Sequence, residues 1–235
     1  MKIRHTAKIL AAAAVTAAAS LNATAALTQW QDAVTAGPAT ASTHFTTVST
    51  GTQVDVGTLA GDRAFEFVIN ATSKATPSSA LLGTFEDAGG KQALKFDQWN
   101  ATGNFGVTSF GVEDFYTTVA APSGVDTHVV FTFNGTKTDL YVNGVFQTTI
   151  KSAANGDVAL ALTGMQGLGG AFNGGAYVDP LQGSILGFAS YDSSLSAGDI
   201  SAHYAAFAAP VPEAGSTALM GLTVMGACLV RRRKS

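Results

Sequence analysis

Residues 127–150 read THVVFTFNGTKTDLYVNGVFQTTI, and the way this stretch pairs with itself decides the fold. The run THVVFTF (127–133) is β-branched and aromatic. In TDLYVNGVFQTTI (138–150), Asn143-Gly144 stands between two further runs of that kind. Asn and Gly tolerate the positive φ of a type I′ turn, so the pair predicts a hairpin. Strand alternation then sets Leu140 and Val142 on one face, Asp139 and Tyr141 on the other.

Upstream, AFEFVIN (64–70), ALLGTF (80–85), QALKFDQW (92–99), NFGVTSF (104–110) and DFYTTV (114–119) are short, rich in Phe, Val and Thr, and bounded by turn formers. Phe65, Phe67 and Ile69 share one face, with Glu66 and Val68 on the other. Turn signals recur about every ten residues, which favours a β-sandwich or barrel over βαβ units. From Leu27 to Asp192 the pattern reads as β throughout. Only SAGDISAHYAAF (196–207) reads as helix: Ser196 and Asp199 resemble a capping box, and Ile200, Tyr204 and Phe207 recur at helical spacing.

The chain has 235 residues, enough for one substantial domain. Its 26 Gly and 6 Pro, with only 12% charged residues, suit many short strands joined by turns. Residues 1–25 have the form of a secretory signal peptide. Lys2, Arg4 and Lys8 precede an apolar stretch, and Ala23-Thr24-Ala25 offers a cleavage site before Ala26. Between Ala26 and Pro210, six Lys and Arg face 15 Asp and Glu, a net charge of about −9. So acidic a domain is a poor partner for nucleic acid. Cys228, the sole cysteine, stands in the C-terminal tail and leaves the domain without a disulfide.

Two segments in order carry a family resemblance. HVVFTFNGTKTDLYVNGVFQTTI resembles the central hairpin of laminin G-like, concanavalin A-type jelly rolls. QGSILGFASYDSSLSAGDISAHY (182–204) resembles the last strand and short helix of the same family. The resemblance implies an all-β fold: a two-sheet antiparallel jelly-roll sandwich over residues 26–210, closed by one short C-terminal helix. Residues 211–235, VPEAGSTALMGLTVMGACLVRRRKS, resemble a PEP-CTERM sorting signal. Val211-Pro212-Glu213 is followed by an apolar run and the cluster Arg231, Arg232, Arg233 and Lys234, with Ala214 where that family usually has a second proline. The likeness implies processing by an exosortase-type protease and delivery to the surface or extracellular matrix of a Gram-negative bacterium. Fifteen apolar-run residues, Ser216 to Val230, span about 22 Å as a helix. That is short of the roughly 30 Å hydrocarbon core. The run suits transient inner-membrane insertion, with the Arg cluster held in the cytoplasm.

Catalysis finds little support in the sequence. β-Glucanases of the concanavalin type resemble one another in a Glu-x-Asp-x-(x)-Glu strand, which this chain lacks; Glu113 and Asp114 fall on opposite faces. His44, His128 and His203 have no partner at metal-ligand spacing, and packing accounts for His128. The Gly-rich stretch 164–185 resembles a calcium loop of pentraxin-type jelly rolls. Met165 and Gly167 stand where carboxylates are expected, leaving Asp179 and Asn173 as oxygen donors, too few for a six- to eight-coordinate ion. Asp97 and Asp157 belong to other segments that offer calcium ligands, and no cofactor is otherwise implied. Trp99, Asn173 and Tyr177 are the candidate ligand-binding residues. Trp99 beside Asp97 and Asn100 could stack on a sugar ring, although a core position between the sheets is favoured for it. The expectation is an exported, non-catalytic protein that binds glycan or protein, such as extracellular polysaccharide or a surface protein. The alternatives are a glycan-degrading enzyme and a purely structural matrix component.

Overall fold

The turn at Asn143-Gly144 orders one whole sheet of the computed structural model, which describes residues 26–36, 51–58, 61–72, 78–99 and 103–209. The strands are β1 (Thr52–Asp55), β2 (Arg63–Ala71), β3 (Ser79–Thr84), β4 (Gln92–Asp97), β5 (Asn104–Ser109), β6 (Glu113–Ala120) and β7 (Thr127–Phe133). They continue as β8 (Thr138–Val142), β9 (Val145–Ser152), β10 (Gly156–Asp157), β11 (Met165–Leu168), β12 (Ala171–Asn173), β13 (Ala176–Val178) and β14 (Gly183–Tyr191). Helix α1 covers residues 26–36 and helix α2 is Ala197–Ala208. Asn143 and Gly144 sit at φ 50° and 76°, as the hairpin requires. The Asn143 N–H donates to the His128 carbonyl at 2.8 Å, and its Oδ1 accepts the His128 N–H at 3.0 Å. The turn is thereby fastened to β7.

Two sheets result. One runs β10-β9-β8-β7-β2-β14; the other runs β1-β11-β3-β4-β5-β6, with β12 joined to β3 and β13. Every pairing is antiparallel except β12 with β3, a short parallel contact. Phe65, Phe67 and Ile69 of β2 project between the sheets, together with Phe131, Leu140 and Phe188. They meet Leu82, Leu94, Phe96, Phe105, Val107 and Phe115 of the opposite sheet. Edge-on aromatic pairs fill this layer: Phe67 with Phe131 at 6.5 Å and Phe96 with Phe105 at 5.7 Å. The all-β, two-sheet class, the closing helix and the strand faces around Leu140 and Phe67 agree with the sequence.

Three expectations are corrected. Residues 26–36 are helical, so the β pattern does not begin at Leu27 and α2 is not the sole helix. Leu27, Trp30 and Val34 recur at helical spacing, and all three are buried against Val68, Val130 and Tyr191 on the outer face of the six-stranded sheet. Gly187 makes room: a Cβ there would lie 2.6 Å from the Trp30 ring. The Gly-rich stretch 164–185 is also more regular than a loop, since it forms β11, β12, β13 and the start of β14. Trp99 is not in the core; it is 47% exposed.

The capping box holds, with the Ser196 N–H donating to Asp199 Oδ2 and the Asp199 N–H to Ser196 Oγ, both at 3.2 Å. Leu27–Phe207 is one compact unit. Residues 1–25, His44, Asn100 and the tail 211–235, including Val211, Pro212, Glu213 and Arg231 to Lys234, lie outside the described residues. Among the described residues, no helix is long and apolar enough to cross a membrane.

Candidate functional site

The outer face of the second sheet carries a cleft, built by strand alternation. On β4, Leu94 and Phe96 enter the core, which turns Lys95 outward. On β5, Phe105 and Val107 point in and Thr108 points out; on β6, Phe115 points in and Asp114 and Tyr116 point out. These outward residues, with Trp99 and Phe110 from the following turns and Asp179 from beyond β13, surround a cavity of about 420 Å³ that Tyr116 lies beyond. Gly106 pairs with Lys95 on one side and Tyr116 on the other, so the 61%-exposed Tyr116 ring extends the same row.

The floor is polar and tightly bonded. Lys95 is buried and forms an ion pair with Asp179, with Ser78 Oγ 3.3 Å from Nζ. Its ammonium also lies 5.5 Å from the centre of the Phe110 ring. Burial pulls the Lys95 pKa below its ordinary value, opposed by the charges of Asp179 and Asp114. Asp179 takes φ 50°, a left-handed conformation that Asp tolerates, and its carbonyl accepts the Ala80 N–H at 2.8 Å. Asp114 Oδ1 accepts from Thr108 at 2.6 Å and from Gln98 Nε2 at 2.9 Å. Glu113 faces away, toward β9. Hydrogen bonds from Ser152 and Asn155 to its Oε2 hold its carboxyl below the usual range. Phe85 and Phe110 stack with centroids 3.5 Å apart and form an apolar wall. Trp99 supplies the exposed aromatic surface at the rim.

Of the residues named from sequence, the fold brings Trp99 and Asp179 to one cleft. Asn173 and Tyr177 lie apart, on the β12–β13 hairpin, where Tyr177 packs edge-on against Phe172 at 5.9 Å. Asp179 meets an ammonium, Asp97 accepts from Ser79 Oγ at 2.9 Å and the Gly103 N–H at 2.9 Å, and Asp157 is exposed on β10. Among the described residues, no group of three His, Cys, Asp or Glu converges as metal ligands. Sequence reading missed Lys95, Phe110 and Asp114 as cleft residues. The available signal was a lysine inside an otherwise apolar strand, ALKF, on the face opposite Leu94 and Phe96.

A second polar cluster went unread. Glu66, fully buried on β2, accepts from Trp30 Nε1 at 2.8 Å and from the Tyr191 hydroxyl. His128 Nε2 lies 2.7 Å and His203 Nδ1 3.0 Å from its oxygens. Burial opposes the charge, but the His128 and His203 hydrogen bonds and charges prevail and hold the carboxyl well below the usual carboxylate range. Burial beside that carboxylate pushes the Tyr191 hydroxyl up. Five elements thus meet at one side chain, which anchors both helices to the sheet.

With this geometry in view, comparison places the chain. Residues 3–201 match the concanavalin A-like lectin/glucanases superfamily through its laminin G-like family, and the chain belongs to it. Residues 210–234 match the PEP-CTERM protein-sorting motif, which marks an exported protein handled by exosortase and sorted to the cell surface. Similar solved structures include domain 4 of AbnA, an extracellular GH43 arabinanase from Geobacillus stearothermophilus, in complex with arabinotriose. It has 17% identity and a TM-score of 0.51, over 66% of this chain and 72% of that one. Another is the CBM40 of the Ruminococcus gnavus IT-sialidase bound to α2,3-sialyllactose, with 20% identity and a TM-score of 0.50, over 68% of this chain and 97% of that one. At these identities the likeness is one of fold. No curated protein matches the chain.

Proposed function

We propose that the domain is an exported, non-catalytic glycan-binding module, acting at the cell surface or in the exopolysaccharide matrix of a Gram-negative bacterium. The observation that carries this is the cleft, where a half-exposed Trp99 stands over a fixed polar floor of Lys95, Asp179, Thr108 and Asp114. Sugars present apolar C–H faces and a belt of hydroxyls, and a site with an aromatic face beside placed polar groups matches both. Complexes of the arabinanase domain with arabinotriose and of the CBM40 with sialyllactose support a glycan over other ligands. Asn173 and Tyr177, on a neighbouring hairpin, would at most widen the contact.

The two tryptophans give the test. Trp30 is fully buried and Trp99 is 47% exposed, so acrylamide should quench Trp99 alone. A glycan from a polysaccharide panel should protect it, and Trp99→Ala should weaken binding at least tenfold without lowering the melting temperature. A folded protein that no glycan protects sinks the proposal and leaves the purely structural matrix role. The enzyme alternative draws on one observation, that Asp114 and Asp179 line the same cleft. Release of reducing ends from a bound polysaccharide, lost in Asp114→Asn, would favour it.

A further inference from the structure

We infer that the cleft takes an uncharged, hydroxyl-rich sugar and turns acidic sugars away; this rests on the glycan-binding proposal above. Three ionisable side chains face it, Lys95, Asp114 and Asp179, while the Glu113 carboxylate turns toward β9. The single cation is spent internally. Lys95 is 1% exposed, bonded to Asp179 and Ser78 and 5.5 Å from the centre of the Phe110 ring, so little of its ammonium is open to a ligand. Recognition of a sugar carboxylate calls for a donor fork or an accessible cation. Neither Arg nor His stands among the described lining residues.

The remaining charged group, Asp114, accepts hydrogen bonds rather than donating them. The hydrogen bonds on Asp114 reach Oδ1. Its second oxygen takes no partner among the described residues. Ionised carboxylates are acceptors only, and sugar hydroxyls are the donors that satisfy them. A carboxylate on the ligand would instead enter a site where one cation faces two carboxylates, a net charge of −1, in a domain whose net charge is about −9. Repulsion at a few ångströms in a partly desolvated cleft is weakly screened. The specificity is therefore against charge as much as for hydroxyls.

Matched pairs that differ in charge alone provide the test. Methyl-esterified and de-esterified oligogalacturonates, and lactose with α2,3-sialyllactose, would be titrated calorimetrically into the exported protein at low and physiological salt. The neutral member of a binding pair should bind at least tenfold tighter, and salt should narrow the gap. Asp114→Asn should bring the two members together by admitting the acidic one. Equal or tighter binding of the acidic member, or a gap unchanged in that variant, overturns the inference and leaves glycan binding standing. If no member of either pair binds, and a wider glycan panel also fails, both fall together.

Discussion

Glu66 shows how much one side chain can organise. It is an acid in a strand of hydrophobics, AFEFVIN, and the pleat sends it away from the inter-sheet core, where solvent would normally receive it. Here α1 and α2 cover that face, and Trp30, His128, Tyr191 and His203 replace water. A buried carboxylate with its donors in place is tolerated, whereas removing one side of such a network strands the other. Glu66→Gln offers an NH₂ where acceptor lone pairs are needed and should cost about 3 kcal/mol by denaturant unfolding. The pH dependence has a definite sign. The Glu66 carboxyl is depressed in the fold, so acid protonates the unfolded chain first and favours unfolding. Its contribution is complete above about pH 4.3 and declines as pH falls through the window below it. Wild type should therefore lose stability more steeply than Glu66→Gln below that pH.

At the scale of elements, α1 is the addition that strand-pattern reading does not supply. Its eleven residues, 26–36, are too few to hold as an isolated helix, so docking must stabilise it. The docking surface is Gly187, where β14 bulges between Ile185 and Gly187 and a Cβ would stand 2.6 Å from the Trp30 ring. Gly187→Ala should push Trp30 outward and cost about 1–3 kcal/mol. The displaced ring should become open to acrylamide, which wild type denies it. A variant that keeps both its stability and a shielded Trp30 would show that the ring has another way to seat. In contrast, the β8–β9 hairpin was legible residue by residue. Its register follows from a two-residue turn, a local constraint, and needs no knowledge of what packs above it.

For the whole molecule, burial carries the fold without covalent help. Large apolar side chains fill the space between the sheets, and a second layer fills the space beneath the helices. Cys228 is the one cysteine and lies outside the domain. The melting temperature of the exported protein should therefore be the same with and without dithiothreitol, even though export delivers it to an oxidising compartment. A reductant-induced drop of several degrees would reveal an intermolecular disulfide through Cys228 and a tail still attached.

The sequence by itself determined the sandwich, the hairpin, the closing helix and the sorting motif at the C-terminal end. Each is written in short-range pattern: alternation of two, a turn pair, a cap, an apolar run beside charges. Only the tertiary structure decided what the outward faces do. Lys95 and Glu66 occupy the same kind of position, a charged residue on the far side of a core strand, and sequence alone predicts solvent for both. One is drawn to Asp179, 84 residues along the chain, and becomes the floor of a cleft. The other is closed over by two helices, one from each end of the domain, and becomes an anchor. Long-range partners separate these fates, and no local pattern encodes which distant segment will arrive.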